Sequence, residues 1–286
     1  MLFLHNIVNS IWAIEPSFAA NYFPIVDAYL RGKKLNFESQ KENAELNHIA
    51  IAQNNAYSIS EYGSAVSPED APVNSIAIIQ INGAITKHDQ FCGPAGMITK
   101  SDILNRCYAN DNIKAIVLSI SSGGGDGYAM MMLMETIAKR NKPVGAFIDD
   151  YALSAAAGIA SAADIVVANS ELAQAGSFGA YITIADFRKY YKKAGINLID
   201  VYASASTDKN SIYIQAINGN PEPLRKTLDF FNENFLSKVE KNREGKLTAG
   251  RDIWGTGKVW YAEEAKQLGI IDGIDSLENF INYFNT

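Results

Sequence analysis

The stretch AIVLSISSGGGDGYAMMMLMETIAKR, residues 115–140, decides the fold. Its first six residues (115–120) are a short apolar run rich in β-branched side chains. A run without polar alternation predicts a strand buried on both faces. SSGGGDG (121–127) breaks that pattern, and residues 127–140 then carry a helical one. Strand, glycine turn and helix in that order predict the first half of a parallel crossover unit.

Working outward, the same strand signature recurs in IAIIQI (76–81), VGAFI (144–148), IVVA (165–168) and LIDVY (198–202). Helical patterns occupy 100–110, 152–163 and 185–194. The alternation predicts an α/β fold with a mostly parallel sheet over residues 73–286. A longer polar helix is expected over 222–243, with Leu224, Leu228, Phe231, Phe235 and Val239 forming one apolar stripe. Before residue 72 the composition is mixed. A small, mostly helical N-terminal extension is expected there, starting with a short amphipathic helix over 1–14 and ending in a Ser, Gly, Pro and acid-rich linker over 58–72.

The 286 residues include 25 Lys and Arg against 31 Asp and Glu, a net charge of −6. That balance argues against general nucleic-acid binding, which needs clustered basic residues. No apolar run approaches the roughly 18–20 residues of a bilayer span, so no membrane anchor is expected. Residues 1–14 lack the basic start of a secretory signal, which points to a cytoplasmic protein. Two cysteines, Cys92 and Cys107, predict neither a disulfide framework nor a zinc cluster, and no metal or cofactor is called for. The three histidines, His5, His48 and His88, all lie in the first third.

Glycines after a strand let backbone N–H groups approach a negative ligand. SSGGGDG fails the dinucleotide fingerprint, because Tyr128 follows Gly127, and it lacks the Lys-Ser/Thr of a phosphate loop. Two readings stay open: an oxyanion hole, or a tight turn with no ligand. The methionines at 130, 131, 132 and 134 read as core packing. In YALSAAAGIASAAD (151–164), Ser154 precedes a run of small residues at an expected helix start. That pattern suits a nucleophile with open space beside it, but by itself it favours a serine that caps an alanine-rich helix. Ser161 is the rival nucleophile on the same segment.

Taken in order, five segments resemble the signal peptide peptidase A (SppA) family of serine peptidases, which share the ClpP/crotonase fold. IAIIQINGAI (76–85) resembles its first strand and SSGGGDG its Asn-Ser-Pro-Gly-Gly loop. YALSAAAGIASAAD resembles the segment with the nucleophile, AGSFGAY (175–181) its Gly-Ser-Ile-Gly turn, and GKVWYAEEAKQLGIIDGI (257–274) its C-terminal tail. Ser121 and Gly123 replace the usual Asn and Pro, and Ala155 and Ala156 the usual Gly. Tyr202 stands where many cellular members carry the catalytic lysine. A lysine follows in STDKN (206–210), ahead of GNPEPL (219–224), a context similar to the phage and prophage capsid-protease branch.

The resemblance implies Ser154 as nucleophile, Ser177 as the residue that orients the base, and N–H groups of Gly124, Gly125 and Ala155 as the oxyanion hole. No histidine follows His88, so a histidine base after the nucleophile is excluded. Lys209 is the only lysine between Lys193 and Lys226 and takes the base role. A lysine accepts a proton near neutral pH only if burial disfavours its ammonium form. The expected function is a serine endopeptidase with a Ser-Lys dyad, a homo-oligomer that acts on a peptide or protein such as a phage capsid or scaffold protein. The alternatives are a cytoplasmic peptidase of signal-peptide remnants and an inactive scaffold homologue.

Overall fold

β4 (Ile113–Ser122) runs through the centre of the sheet, between β3 (Ser75–Asn82) and β6 (Val144–Leu153), and is parallel to both. The computed structural model describes residues 67–284 apart from 91, 92 and 185, together with Trp12–Ile14, Arg31 and Ile49–Ala52. Along the sheet the order is β10 (Gly273–Ile274), β7 (Ile165–Ala168), β6, β4, β3 and β2 (Ile49–Ala52), with only β2 antiparallel to its neighbour. β8 (Gln174–Gly176) joins the far half of β6 in parallel and pairs with β9 (Val259–Tyr261). This is the mostly parallel α/β architecture expected from the apolar runs.

Burial explains why those runs do not alternate. Ile79, Ile81, Ile116 and Leu118 face one apolar layer with α1 (Met97–Ala109), α2 (Gly127–Ala138) and α3 (Ala155–Ser161). Ile76, Ile78, Ala115, Val117 and Phe147 face a second layer, closed by Phe280 and Ile281. Both sides of each central strand are dry over these runs, so most of their positions are apolar. The next helices are α4 (Arg188–Lys193), α5 (Ser211–Ile217) and α6 (Glu222–Asn242). α7 (Arg251–Trp254), α8 (Ala262–Gln267) and α9 (Leu277–Tyr283) follow. Phe231, Phe235 and Val239 of α6 are buried as its stripe predicts. Its rings lie on Gly127 and Gly158, where no side chain would fit: a Cβ on Gly127 would stand 2.2 Å from Phe231 Cζ.

The structure differs from expectation in five places. LIDVY (198–202) is not a strand: it is an exposed loop, with Ile199 81% and Val201 88% accessible. An apolar run becomes a strand only when a neighbour accepts its backbone hydrogen bonds, and none does so here among the described residues. The helix expected over 152–163 starts at Ala155, because Ala152 and Leu153 extend β6 to pair with β8. α4 begins only at Arg188. Trp12–Ile14 form a strand, β1, rather than the end of a helix, while residues 1–11 lie outside the described residues. Ile49–Ala52, also within the expected helical extension, are the strand β2 of the main sheet, where their backbone pairs with β3; most of the rest of the extension and of the linker lies outside the described residues. The linker's end, Pro68–Asp70, is a 3-10 turn held by Arg106 Nε donating to Glu69 at 2.7 Å.

Candidate active site

Two neighbouring parallel strands set the position of the glycine turn. Ser122 pairs with Ala152, so β4 and β6 end level with each other. Gly124 and Gly125 leave the sheet beside the turn that holds Ser154. The turn continues as β5 (Gly124–Asp126), and Asp126 then caps α2, its Oδ1 accepting from the amides of Tyr128 (2.8 Å) and Ala129 (3.1 Å). That carboxylate fills the start of α2, which explains why the loop is not a phosphate cradle.

Ser154 links β6 to α3. Its backbone has φ 55° and ψ −114°, a conformation that non-glycine residues adopt only under constraint. The constraint is visible: the Ser154 amide donates to the Gly176 carbonyl at 2.8 Å, and its own carbonyl accepts from Gly158 N–H at 2.9 Å. The side chain is 1% exposed and forms no cap bond with α3. Its one hydrogen bond among the described residues is a long one, Oγ to the Gly179 carbonyl at 3.4 Å. Helix capping therefore does not account for this serine. Ser161 is different: its hydroxyl donates to the Gly158 carbonyl at 2.6 Å and accepts from Asn242 at 3.2 Å, a structural use inside the core.

Ser177 lies next to Ser154, because Leu153 pairs with Gly176 and the two serines are the next residues of those strands. It too has a positive φ, 55°, and is buried. Its amide donates to the Lys258 carbonyl at 2.7 Å. The following Phe178 is fully buried, edge-on to Trp254 at 5.5 Å and to Phe235 at 6.0 Å, so the turn is anchored from behind. Lys258 itself sits over the Trp260 ring at 3.7 Å.

The backbone donors are not equivalent. Gly124 N–H already donates to Ser122 Oγ at 3.2 Å. Ser122 in turn donates to the Gly83 carbonyl at 2.6 Å, a supporting role that a plain serine in the loop did not signal. Ile85 N–H donates to the Gly124 carbonyl at 2.9 Å, and Asp126 N–H to the Ile85 carbonyl at 2.8 Å. Strand alternation then turns the N–H and C=O of Gly125 to the opposite side. Gly125 has to be glycine, since a Cβ there would stand 2.1 Å from the Ile85 carbonyl oxygen. Ala155, the first residue of α3, has an N–H with no acceptor inside the helix.

Lys209 lies exposed in the turn before α5, and no hydrogen bond links it to Ser154 or Ser177 among the described residues. Lys100 of α1 is only 4% exposed. Burial pushes its ammonium down to about 8, opposed by the Asp89 carboxylate. Cys107 is buried as well, and desolvation pushes its thiol up to about 12, which makes it an inert packing group. The methionines follow the core reading: Met130 and Met134 are buried beneath α2. Cys92 lies outside the described residues, which hold no cluster of metal-ligating side chains. None of their helices is long and apolar enough to cross a membrane.

A profile of peptidase family S49 matches residues 136–285, a span that includes Ser154, Ser177 and Lys209. The chain is 26% identical over 212 residues to Protease 4 of Haemophilus influenzae, covering 73% of this chain and 34% of that protein. It is 23% identical over 200 residues to the head-tail preconnector protein GP5 of Enterobacteria phage P21, covering 67% and 39%. The chain thus spans little more than a third of the length of these relatives. Among solved structures it is similar to a ClpP1 variant from Listeria monocytogenes, at 15% identity and a TM-score of 0.45, over 71% of this chain and 92% of that one. The fold is of the α/β class with a mostly parallel sheet.

Proposed function

Since the chain belongs to peptidase family S49, we propose that it is a serine endopeptidase whose nucleophile is Ser154. The observation that carries this reading is the serine itself: buried, on a strained strand-to-helix turn, with a hydroxyl spent on no helix cap. Strain of that kind persists where function requires it.

In this reading Ser154 Oγ attacks a substrate peptide carbonyl while Lys209 Nζ takes the hydroxyl proton. The N–H groups of Gly125 and Ala155 stabilise the oxyanion, and Gly124 shapes the turn that presents them. The C–N bond breaks, Lys209 returns its proton to the leaving amine, and water hydrolyses the acyl ester. Ser177, beside the nucleophile, orients the lysine. Lys209 works as a base only when desolvated. The exposed apolar segment that precedes it, Leu198 to Val201, gives a second copy of the chain a surface to cover. A homo-oligomer is therefore part of the reading.

The substrate proposed is a protein of a phage or prophage head, processed in the host cytoplasm, and the similarity to the phage P21 protein supports it. The similarity to Protease 4 supports a second reading, a cellular peptidase of signal-peptide remnants. The deciding experiment is peptide hydrolysis together with fluorophosphonate labelling. Ser154→Ala should abolish both and Lys209→Ala should abolish hydrolysis. Full activity in Ser154→Ala would overturn the assignment of Ser154, and a parent chain that neither cleaves nor takes the label would leave an inactive scaffold role as the better account. Cleavage of capsid or scaffold protein against cleavage of signal-peptide fragments separates the two substrate readings.

A further inference from the structure

β1 (Trp12–Ile14) lies antiparallel on β5, with Trp12 opposite Asp126, Ala13 opposite Gly125 and Ile14 opposite Gly124. The two strands form a small sheet of their own, separate from the main one. The other edge of β5 is already taken, because Gly124 C=O and Asp126 N–H bond Ile85. The edge facing β1 is the one to which alternation turns Gly125 N–H and C=O, so the Ala13–Gly125 pair exchanges those hydrogen bonds. An extended peptide that adds to that same edge would set the oxygen of its scissile carbonyl on Gly125 N–H, the oxyanion donor of the proposed reaction, next to the turn of Ser154.

We propose that Trp12–Ile14 is a built-in occupant of the peptide-binding edge and competes with substrate for Gly125. This deepens the peptidase reading and rests on it. The segment comes from more than 100 residues earlier in the chain, so its pairing with β5 is a tertiary contact and not a local turn. An occupant that shares the substrate's hydrogen-bonding groups reduces apparent affinity by the fraction of time that it is bound, and leaves the bound complex to react as before.

The test is Ala13→Pro in the full chain. Proline removes the N–H that Ala13 offers to Gly125 and is tolerated in an extended segment. With a fluorogenic peptide, KM should fall about fivefold with kcat unchanged, as for an edge occupied about four-fifths of the time. A synthetic peptide of residues 9–17 (NSIWAIEPS) should inhibit Ala13→Pro competitively. Independently of activity, backbone hydrogen exchange across 122–128 should accelerate when Ala13→Pro is introduced into Ser154→Ala. An unchanged KM in an active variant, or exchange that does not respond, overturns the proposal. If neither parent nor variant cleaves any peptide, the peptidase reading fails, and the exchange result alone still decides whether β1 covers the edge.

Discussion

The amide of Ser154 donates to the carbonyl of Gly176 at 2.8 Å, and this bond couples two turns of positive φ. Gly176 precedes Ser177, whose amide is held by Lys258. Each turn is thereby braced by a strand that lies outside it. A braced turn can hold a backbone conformation that costs about 1–3 kcal/mol per residue.

That strain predicts how stability responds at position 154. Ser154→Gly should be more stable than Ser154→Ala by about 1 kcal/mol, because glycine adopts φ 55° without a Cβ penalty. Urea unfolding of the two inactive variants measures the difference. Equal stabilities would mean that the turn stores no strain.

Arg243 is 1% exposed and donates to Asp272 at 2.8 Å and twice to the Gly269 carbonyl, at 3.0 and 2.8 Å. Arg243→Met should cost about 3–5 kcal/mol, since it leaves a half-buried carboxylate without its main partner. Desolvation pushes the Asp272 carboxyl up, but hydrogen bonds from Arg243 and Lys246 outweigh it and hold the group below its ordinary value. The stabilisation is thus present above the ordinary carboxylate range and is lost as pH falls through the folded value. The gap between parent and variant should narrow on acidification, as read by unfolding at pH 7 and in mild acid.

Lys100 gives the opposite dependence. Its folded value, about 8, lies below its unfolded 10.5, so between them the unfolded chain binds more protons and stability rises with pH. Below pH 8 the burial penalty is fully present, and above 10.5 it is gone. Lys100→Met should therefore stabilise the protein at pH 7 by roughly 3 kcal/mol, with the gain vanishing at high pH. A gain that does not depend on pH would show that packing, not charge, limits the site.

Gly127 and Phe231 form a packing pair. Gly127→Ala should cost about 2 kcal/mol, because the new methyl meets the Phe231 ring. Phe231→Leu opens that space, so the double variant should lose less than the two single losses added together. Additive losses in a thermal or urea double-mutant cycle would rule out the contact as the cause.

Much of the fold is legible in the sequence, since a strand buried on both faces must be apolar throughout. IAIIQI, AIVLSI, VGAFI and IVVA all became strands for that reason. Ser154 and Ser177 were singled out by the resemblance of their segments to the SppA family, because small neighbours alone suit a helix cap as well. LIDVY misled because its composition is that of a strand while no partner strand reaches it. The difference between Gly124 and Gly125 was not legible either, because three adjacent glycines look alike until their amides have partners.

By itself the sequence determined that this chain builds a mostly parallel α/β sheet, that a serine among alanines follows its third apolar run, and that no histidine lies beyond position 88. These are consequences of composition and local periodicity. Only the tertiary structure decided that Ser154 is strained and caps no helix, that Gly125 rather than Gly124 faces the open edge of β5, and that Trp12–Ile14 lies along that edge. Each of these depends on hydrogen bonds between residues far apart in the chain, and a local pattern carries no record of which distant group will meet a given amide.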